Sequence, residues 1–240
     1  AQRVFHGLDP ITPELKEVIY ACTNCLMCQE LCGVRGDGYG PWDITVAMRE
    51  EITEKEGPIP AHRPLYDGLK QHDNPWSQPK DERGAWASGL ALKKLGESKS
   101  STLLFAGCSA DRDSGRSGAV ALAQLMKRAG DDFVILGDAE KCCGLYAFDL
   151  GFRREYERLK EDNLATLENA GITRVVVACG SCQRIWREYK KEAGADFQVI
   201  HGVEYVEQMV RSGQLRFPKP IGKKVTYHDS CHLGRGCGVY

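Results

Sequence analysis

From about residue 101 onward, short apolar runs alternate with longer stretches in which apolar residues recur every three or four positions. The runs at 102–106, 133–136, 173–178, 197–201 and 224–228 read as strands. The segments at 114–129, 151–170, 182–193 and 202–212 read as amphipathic helices. Strands alternating with helices predict an α/β fold with a doubly wound, mostly parallel sheet. The first hundred residues have a different texture. Thr12 can cap a helix, Pro13 suits its first turn and Glu14 complements its dipole, with Leu15, Val18 and Ile19 as the apolar face. Asp43 can cap a helix over 44–55, which the Gly57–Pro60 stretch ends. Residues 33–41 read as a glycine-rich loop, and 61–100 as a polar, proline-broken stretch with short helices around 63–71 and 80–95. This divides the chain into a small helical region with its connector over 1–98, an α/β module over 99–222, and the opening of a second module over 223–240.

Composition narrows the class without naming a function. The chain has 240 residues, 42% hydrophobic and 27% charged, as ordinary globular proteins do. A net charge of −1 argues against a nucleic-acid binder. No apolar run reaches membrane-spanning length and no signal-peptide pattern opens the chain. Eleven cysteines, several in C-x-x-C groups, then point to metal binding in a reducing compartment rather than to a disulfide framework. The expectation is a cytoplasmic protein, held at a membrane only through a partner.

The cysteines fall in two sets. Cys108, the adjacent pair Cys142 and Cys143 closed by Gly144, and the C-x-x-C pair Cys179 and Cys182 each follow a predicted strand. Strand carboxyl ends gather on one edge of a parallel sheet, where ligands bind, so these five thiols are expected to converge. Buried structural thiols do not require such groupings. A vicinal disulfide or a redox C-x-x-C is a further reading, and zinc takes four ligands, leaving a fifth surplus. A polynuclear iron–sulfur cluster accounts best for the count, with Gly144 and Gly180 removing side chains where the backbone passes something bulky. The second set, Cys22, Cys25, Cys28 and Cys32, has the C-x2-C-x2-C-x3-C spacing of bacterial ferredoxins. Gly33 stands where that signature carries proline, and the run is single. The fourth partner of Cys22, Cys25 and Cys28 is therefore open. So is the role of Cys32, because in two-cluster ferredoxins the fourth cysteine serves the other cluster.

The pattern C-x33-C-C-G-x35-C-x-x-C resembles the cysteine-rich "CCG" domain found in the B and D subunits of heterodisulfide reductases. It is also similar to the K subunit of sulfite-reductase-associated membrane complexes and to iron–sulfur subunits of some glycerol-3-phosphate and lactate dehydrogenases. The stretch from Asn74 to Trp86 resembles the connector of the D-type proteins. The resemblance implies a noncubane [4Fe-4S] cluster on Cys108, Cys142, Cys143, Cys179 and Cys182, fed by a ferredoxin-type [4Fe-4S] cluster. The words H-D-x-C-H-x-G-R around Cys231 resemble the start of a second CCG motif and make Cys231 a further candidate ligand. His228 and His232 are expected to hydrogen-bond structurally, and Cys237 to be a spare thiol. Together these imply an iron–sulfur oxidoreductase subunit that reduces a disulfide or related sulfur compound. The alternative is an electron-transfer subunit of a flavin dehydrogenase linked to quinones. Expected partners are other redox subunits: a flavoprotein, a ferredoxin-like protein or a membrane cytochrome. A chain without an initiating Met that stops within ten residues of Cys231 is expected to be part of a longer protein or of a split subunit.

Overall fold

The computed structural model describes residues 1–32 and 40–240. Its helical first part holds α1 (Gln2–Phe5), α2 (Pro13–Tyr20), α3 (Met27–Leu31), α4 (Pro41–Glu56) and α5 (Arg63–His72). Thr12 caps α2 by accepting the Leu15 N–H at 3.2 Å. Asp43 acts from inside the first turn of α4, accepting the Gly40 N–H at 2.7 Å, so the helix starts at Pro41 rather than at 44. Residues 33–39 of the expected glycine-rich loop lie outside the described residues.

The second part is an α/β unit. It contains β1 (Thr102–Phe105), α6 (Asp113–Ala129), α7 (Leu145–Leu150), α8 (Arg153–Ala170), β2 (Arg174–Val177), α9 (Gly180–Ala193), β3 (Gln198–His201), α10 (Gly202–Arg211) and α11 (Gly234–Cys237). The sheet is parallel in the order β1-β2-β3, with Thr102 opposite Arg174 and Arg174 opposite Gln198. On the other side of β1, the Leu104 N–H donates to the Val134 carbonyl and the Val134 N–H to the Thr102 carbonyl, both at 2.9 Å. The expected strand at 133–136 is thus reduced to bridging residues, yet it keeps its place beside β1. In space the order is 134, β1, β2, β3. Chain direction across the sheet therefore reverses at β1, the switch point where open α/β sheets bind ligands.

Alternation along the strands builds two cores. Leu103, Phe105, Val175 and Val177 face Tyr156, Leu159 and Leu167 of α8 and Ile185, Trp186 and Tyr189 of α9. Leu104, Val176 and Ile200 face Ala119, Leu122, Ala123 and Met126 of α6 and Tyr205 and Met209 of α10. Helices thus cover both faces, as the doubly wound pattern predicts. Two expectations need correction. The strand at 224–228 does not form: Val225 is 86% exposed and Tyr227 71%. Its backbone pairs with no strand among the described residues, and an apolar pattern without a partner edge does not hold a strand. The helix at 80–95 is a 3-10 helix over Lys80–Ala87, broken afterwards where Gly89 and Ala91 adopt left-handed backbone.

Candidate metal centre

Each group of the five thiols is presented by a different turn at the carboxyl edge of the sheet. Cys108 follows β1 through Gly107, whose φ of +77° suits glycine, and an added Cβ there would lie 3.0 Å from the Cys182 sulfur. The Ala106 and Gly107 N–H groups both donate to the buried Glu140 carboxylate, at 3.2 and 2.7 Å, fixing the exit from β1. Burial pushes the Glu140 pKa up to about 8 against the pull of those two bonds. Cys142 and Cys143 occupy a turn held from three sides. The Cys142 N–H donates to the Asp73 carbonyl (2.8 Å), Asn163 of α8 donates to the Cys142 carbonyl (3.0 Å), and the Tyr189 hydroxyl of α9 donates to the Cys143 carbonyl (2.6 Å). Asp73 is itself anchored by Arg158 at 2.6 Å. Cys179 is the N-cap of α9 and Cys182 lies in its first turn. Gly180 is needed between them because Leu233 would meet a Cβ there at 2.9 Å.

The five thiols shift one another's titration in series. The Cys142 thiol is held well below its ordinary value by hydrogen bonds from Cys108 and Cys143, and those two are pushed up in turn. Cys179 is lowered to about 6, first by its bond from Cys182 and then by backbone N–H groups at the start of α9. Cys182, bonded to Cys143 and Cys179 and buried, is raised. All five line a single cavity of about 330 Å3 together with Trp76, Ser109, Arg112, Leu145, Tyr146 and Ser181. Among the described residues, no group of three or more His, Cys, Asp or Glu is arranged to hold one lone metal ion. The thiols line a space larger than a single ion.

The Cys22–Cys25 segment meets the far end of α7, where the Asn24 side chain donates to the Asp149 carbonyl at 3.1 Å. Asn24 and Leu26, with φ of 54° and 62°, bend the Cys22–Cys28 segment tightly. The Asn24 N–H meets the Cys22 sulfur at 3.4 Å, and the Met27 N–H is the first of several groups lowering the Cys25 thiol. Cys28 is exposed on α3 and Cys32 is half-buried at its end. Cys231 comes to this segment from the opposite end of the chain. Arg235 donates to the Cys25 carbonyl at 2.6 Å and to the Cys231 sulfur at 2.9 Å, and His232 Nε2 lies 3.1 Å from the Asn24 carbonyl. His232 thus has a structural hydrogen bond, whereas His228 is exposed. Cys237 is half-buried, which raises its thiol, and its carbonyl accepts from Arg187. All eleven cysteines are free thiols.

Residues 102–185 match the family model of the cysteine-rich domain, CCG, and so span all five thiols. The chain carries a CCG cysteine-rich domain. It is 31% identical over 232 residues to the EtfAB:quinone oxidoreductase of Syntrophomonas wolfei, covering 93% of this chain and 32% of that protein. It is 29% identical over 237 residues to the D-type subunit of the dihydromethanophenazine:CoB–CoM heterodisulfide reductase of Methanosarcina barkeri, covering 95% of this chain and 56% of that one. A protein of Methanococcus maripaludis described as an uncharacterized iron–sulfur protein is 28% identical, with 47% of its length covered. The chain therefore spans about a third to just over half of these relatives, and is related to iron–sulfur oxidoreductases. No solved structure matches it.

The residues of the CCG domain fit a cluster. Thiolate sulfur is the donor that iron–sulfur clusters take. Five such donors line one cavity, and Gly107 leaves the space beside Cys182 open. Sequence reasoning missed the rest of the wall. Trp76 lies in the stretch likened to a connector and carries no site expectation, and nothing in the local sequence marks Arg112 or Tyr146 on the wall, or Glu140 behind it. Among the described residues no helix is long and apolar enough to cross a membrane.

Proposed function

We propose that this chain is an iron–sulfur redox subunit with two cluster sites. Cys108, Cys142, Cys143, Cys179 and Cys182 are the ligands of a [4Fe-4S] cluster of the noncubane type. Cys22, Cys25 and Cys28 hold a ferredoxin-type [4Fe-4S] cluster, with the fourth thiolate from Cys32 or Cys231. The observation that carries the reading is the convergence of five thiols on one cavity at the switch point of the sheet. When bound, such clusters supply one-electron transfer and, at the open cavity, iron sites with affinity for sulfur. The chain's own part is to position the thiolates, to tune them by hydrogen bonds and burial, and to keep the two sites joined through α7. The overall change is the reduction of a disulfide: the S–S bond breaks, and two electrons from a redox partner and two protons give two thiols. The partner is a flavoprotein, a ferredoxin-like protein or a cytochrome. A second reading, an electron-transfer subunit serving quinone reduction, is favoured by the relative in Syntrophomonas.

Anaerobic iron and sulfide analysis with electron paramagnetic resonance tests the assignment. Cys143→Ser is expected to lose one cluster's iron and absorbance while the ferredoxin-type signal stays, and Cys25→Ser the reverse. Unchanged iron in both variants rejects it. Parallel Cys32→Ser and Cys231→Ser variants identify the fourth thiolate by which one loses the ferredoxin-type signal. A small disulfide that perturbs the Cys143-dependent signal supports disulfide reduction, and its failure to do so leaves the electron-transfer reading.

A further inference from the structure

The five thiols occupy the inner wall of their cavity. The remaining wall is of a different chemistry. Trp76 and Tyr146 meet edge to face, with ring centroids 5.2 Å apart at 76°. The Arg112 guanidinium lies over the Trp76 ring at 4.3 Å, which fixes its direction without using its hydrogen-bond donors. Among the described residues Arg112 is the one charged side chain on this wall. Its acidic neighbours are engaged elsewhere: Asp111 accepts from Asn74 at 3.3 Å, and Asp113 pairs with Arg116 at 4.0 Å. Among the described residues Arg112 has no carboxylate partner. Its backbone is the N-cap of α6, a 17-residue helix whose first turn carries Asp113. The Trp76 indole N–H likewise has no hydrogen-bond partner among the described residues. An unpaired cation held on an aromatic platform beside a thiol-lined cavity is arranged to receive something negative.

Resting on the proposed sulfur-compound reading, we infer that the Trp76–Tyr146–Arg112 wall is a docking site for the anionic group of a small thiol or disulfide. Arg112 takes a carboxylate or another oxyanion through its planar fork, and the two rings cover the carbon chain. The sulfur end of the same molecule then faces the thiol-lined wall. Ser109 and Ser181 on the lining add hydroxyl donors. Selection is by charge, so neutral and cationic thiols of the same length are held less well.

The test uses the intact protein with its clusters assembled anaerobically, and three thiols of similar size: 3-mercaptopropionate, 2-mercaptoethanol and cysteamine. Binding is read from the paramagnetic signal and, independently of turnover, from tryptophan fluorescence. For an exposed guanidinium, half-saturation by the anion is expected at roughly 3–10-fold lower concentration than for the neutral thiol, with cysteamine weakest. The preference should shrink at high salt. Arg112→Gln is expected to abolish it at unchanged iron content, and Arg112→Lys to retain part of it. Equal binding of anion and neutral thiol to the native protein overturns the inference, as does an unchanged preference in Arg112→Gln; either leaves the sulfur-compound reading standing. Absence of any perturbation by all three thiols overturns that reading and this site with it.

Discussion

Gly107 shows how much a single missing side chain decides. It sits at φ +77° with the Cys182 sulfur 3.0 Å from where a Cβ would be. Gly107→Ala is expected to cost about 1–2 kcal/mol from the left-handed backbone alone, seen as a lower urea midpoint of the metal-free protein. The displaced sulfur should also lower the iron retained by the five-thiol site, and iron analysis checks this. The meeting of the five cysteines on one cavity was legible because each group follows a predicted strand, and strand carboxyl ends gather on one edge of a parallel sheet. Glu140 was not legible. A glutamate two residues before a cysteine reads as surface, and its role depends on two N–H groups more than thirty residues earlier in the chain. Arg112 and Trp76 were hidden for the same reason: their meeting is a property of the connector's path, not of either segment.

At the level of elements, α9 has two jobs. Its N-cap Cys179 and first-turn Cys182 line the cavity, while its middle turns insert Trp186 against Phe105, Tyr189 and Phe197. Trp186 is fully buried, so Trp186→Ala is expected to destabilise by about 3–5 kcal/mol in chemical denaturation. The packing of α2 gives a pH dependence. His62 meets the Tyr20 ring edge to face at 5.1 Å, and burial, with Arg49 nearby, lowers its pKa below the ordinary 6.5. A depressed imidazole favours folding in its neutral form, so that contribution is present above about pH 6.5 and is lost as the pH falls through the lowered value. Melting of His62→Phe followed from pH 7.5 to 5 should show a shallower acid decline than the native protein. Strands flanked by both a partner and a covering helix could be read from their continuous apolar runs, as at Leu103–Phe105 and Val175–Val177. The segment at 224–228 only alternates and has no partner edge, and the stretch after Ala87 has glycine where a helix needs continuity.

For the whole molecule, one buried cation joins the two thiol sites. Arg49 of α4, 2% exposed, donates to the Ile19 and Cys22 carbonyls at 3.0 and 2.6 Å and to the Asp149 carbonyl at 2.7 Å. Asn24 reaches the same Asp149 carbonyl at 3.1 Å. Arg49→Met leaves these carbonyls without their charged donor, and each unmet buried acceptor costs about 1–3 kcal/mol. Thiol labelling of the metal-free protein should then accelerate at Cys22 while Cys142 keeps its protection, and equal acceleration at both would argue against a local tie. The contacts that Arg235 and His232 make with residues 24 and 25 cross separations of 210 and 208 residues. During synthesis those partners emerge more than two hundred residues after Asn24 and Cys25. At about 5–20 residues per second the Cys22–Cys28 thiols wait roughly 10–40 s before Arg235 and His232 can pin them. The Cys22–Cys28 run is therefore pinned only after residue 235 has been made, and iron delivered to it before then meets thiols that these contacts do not yet hold.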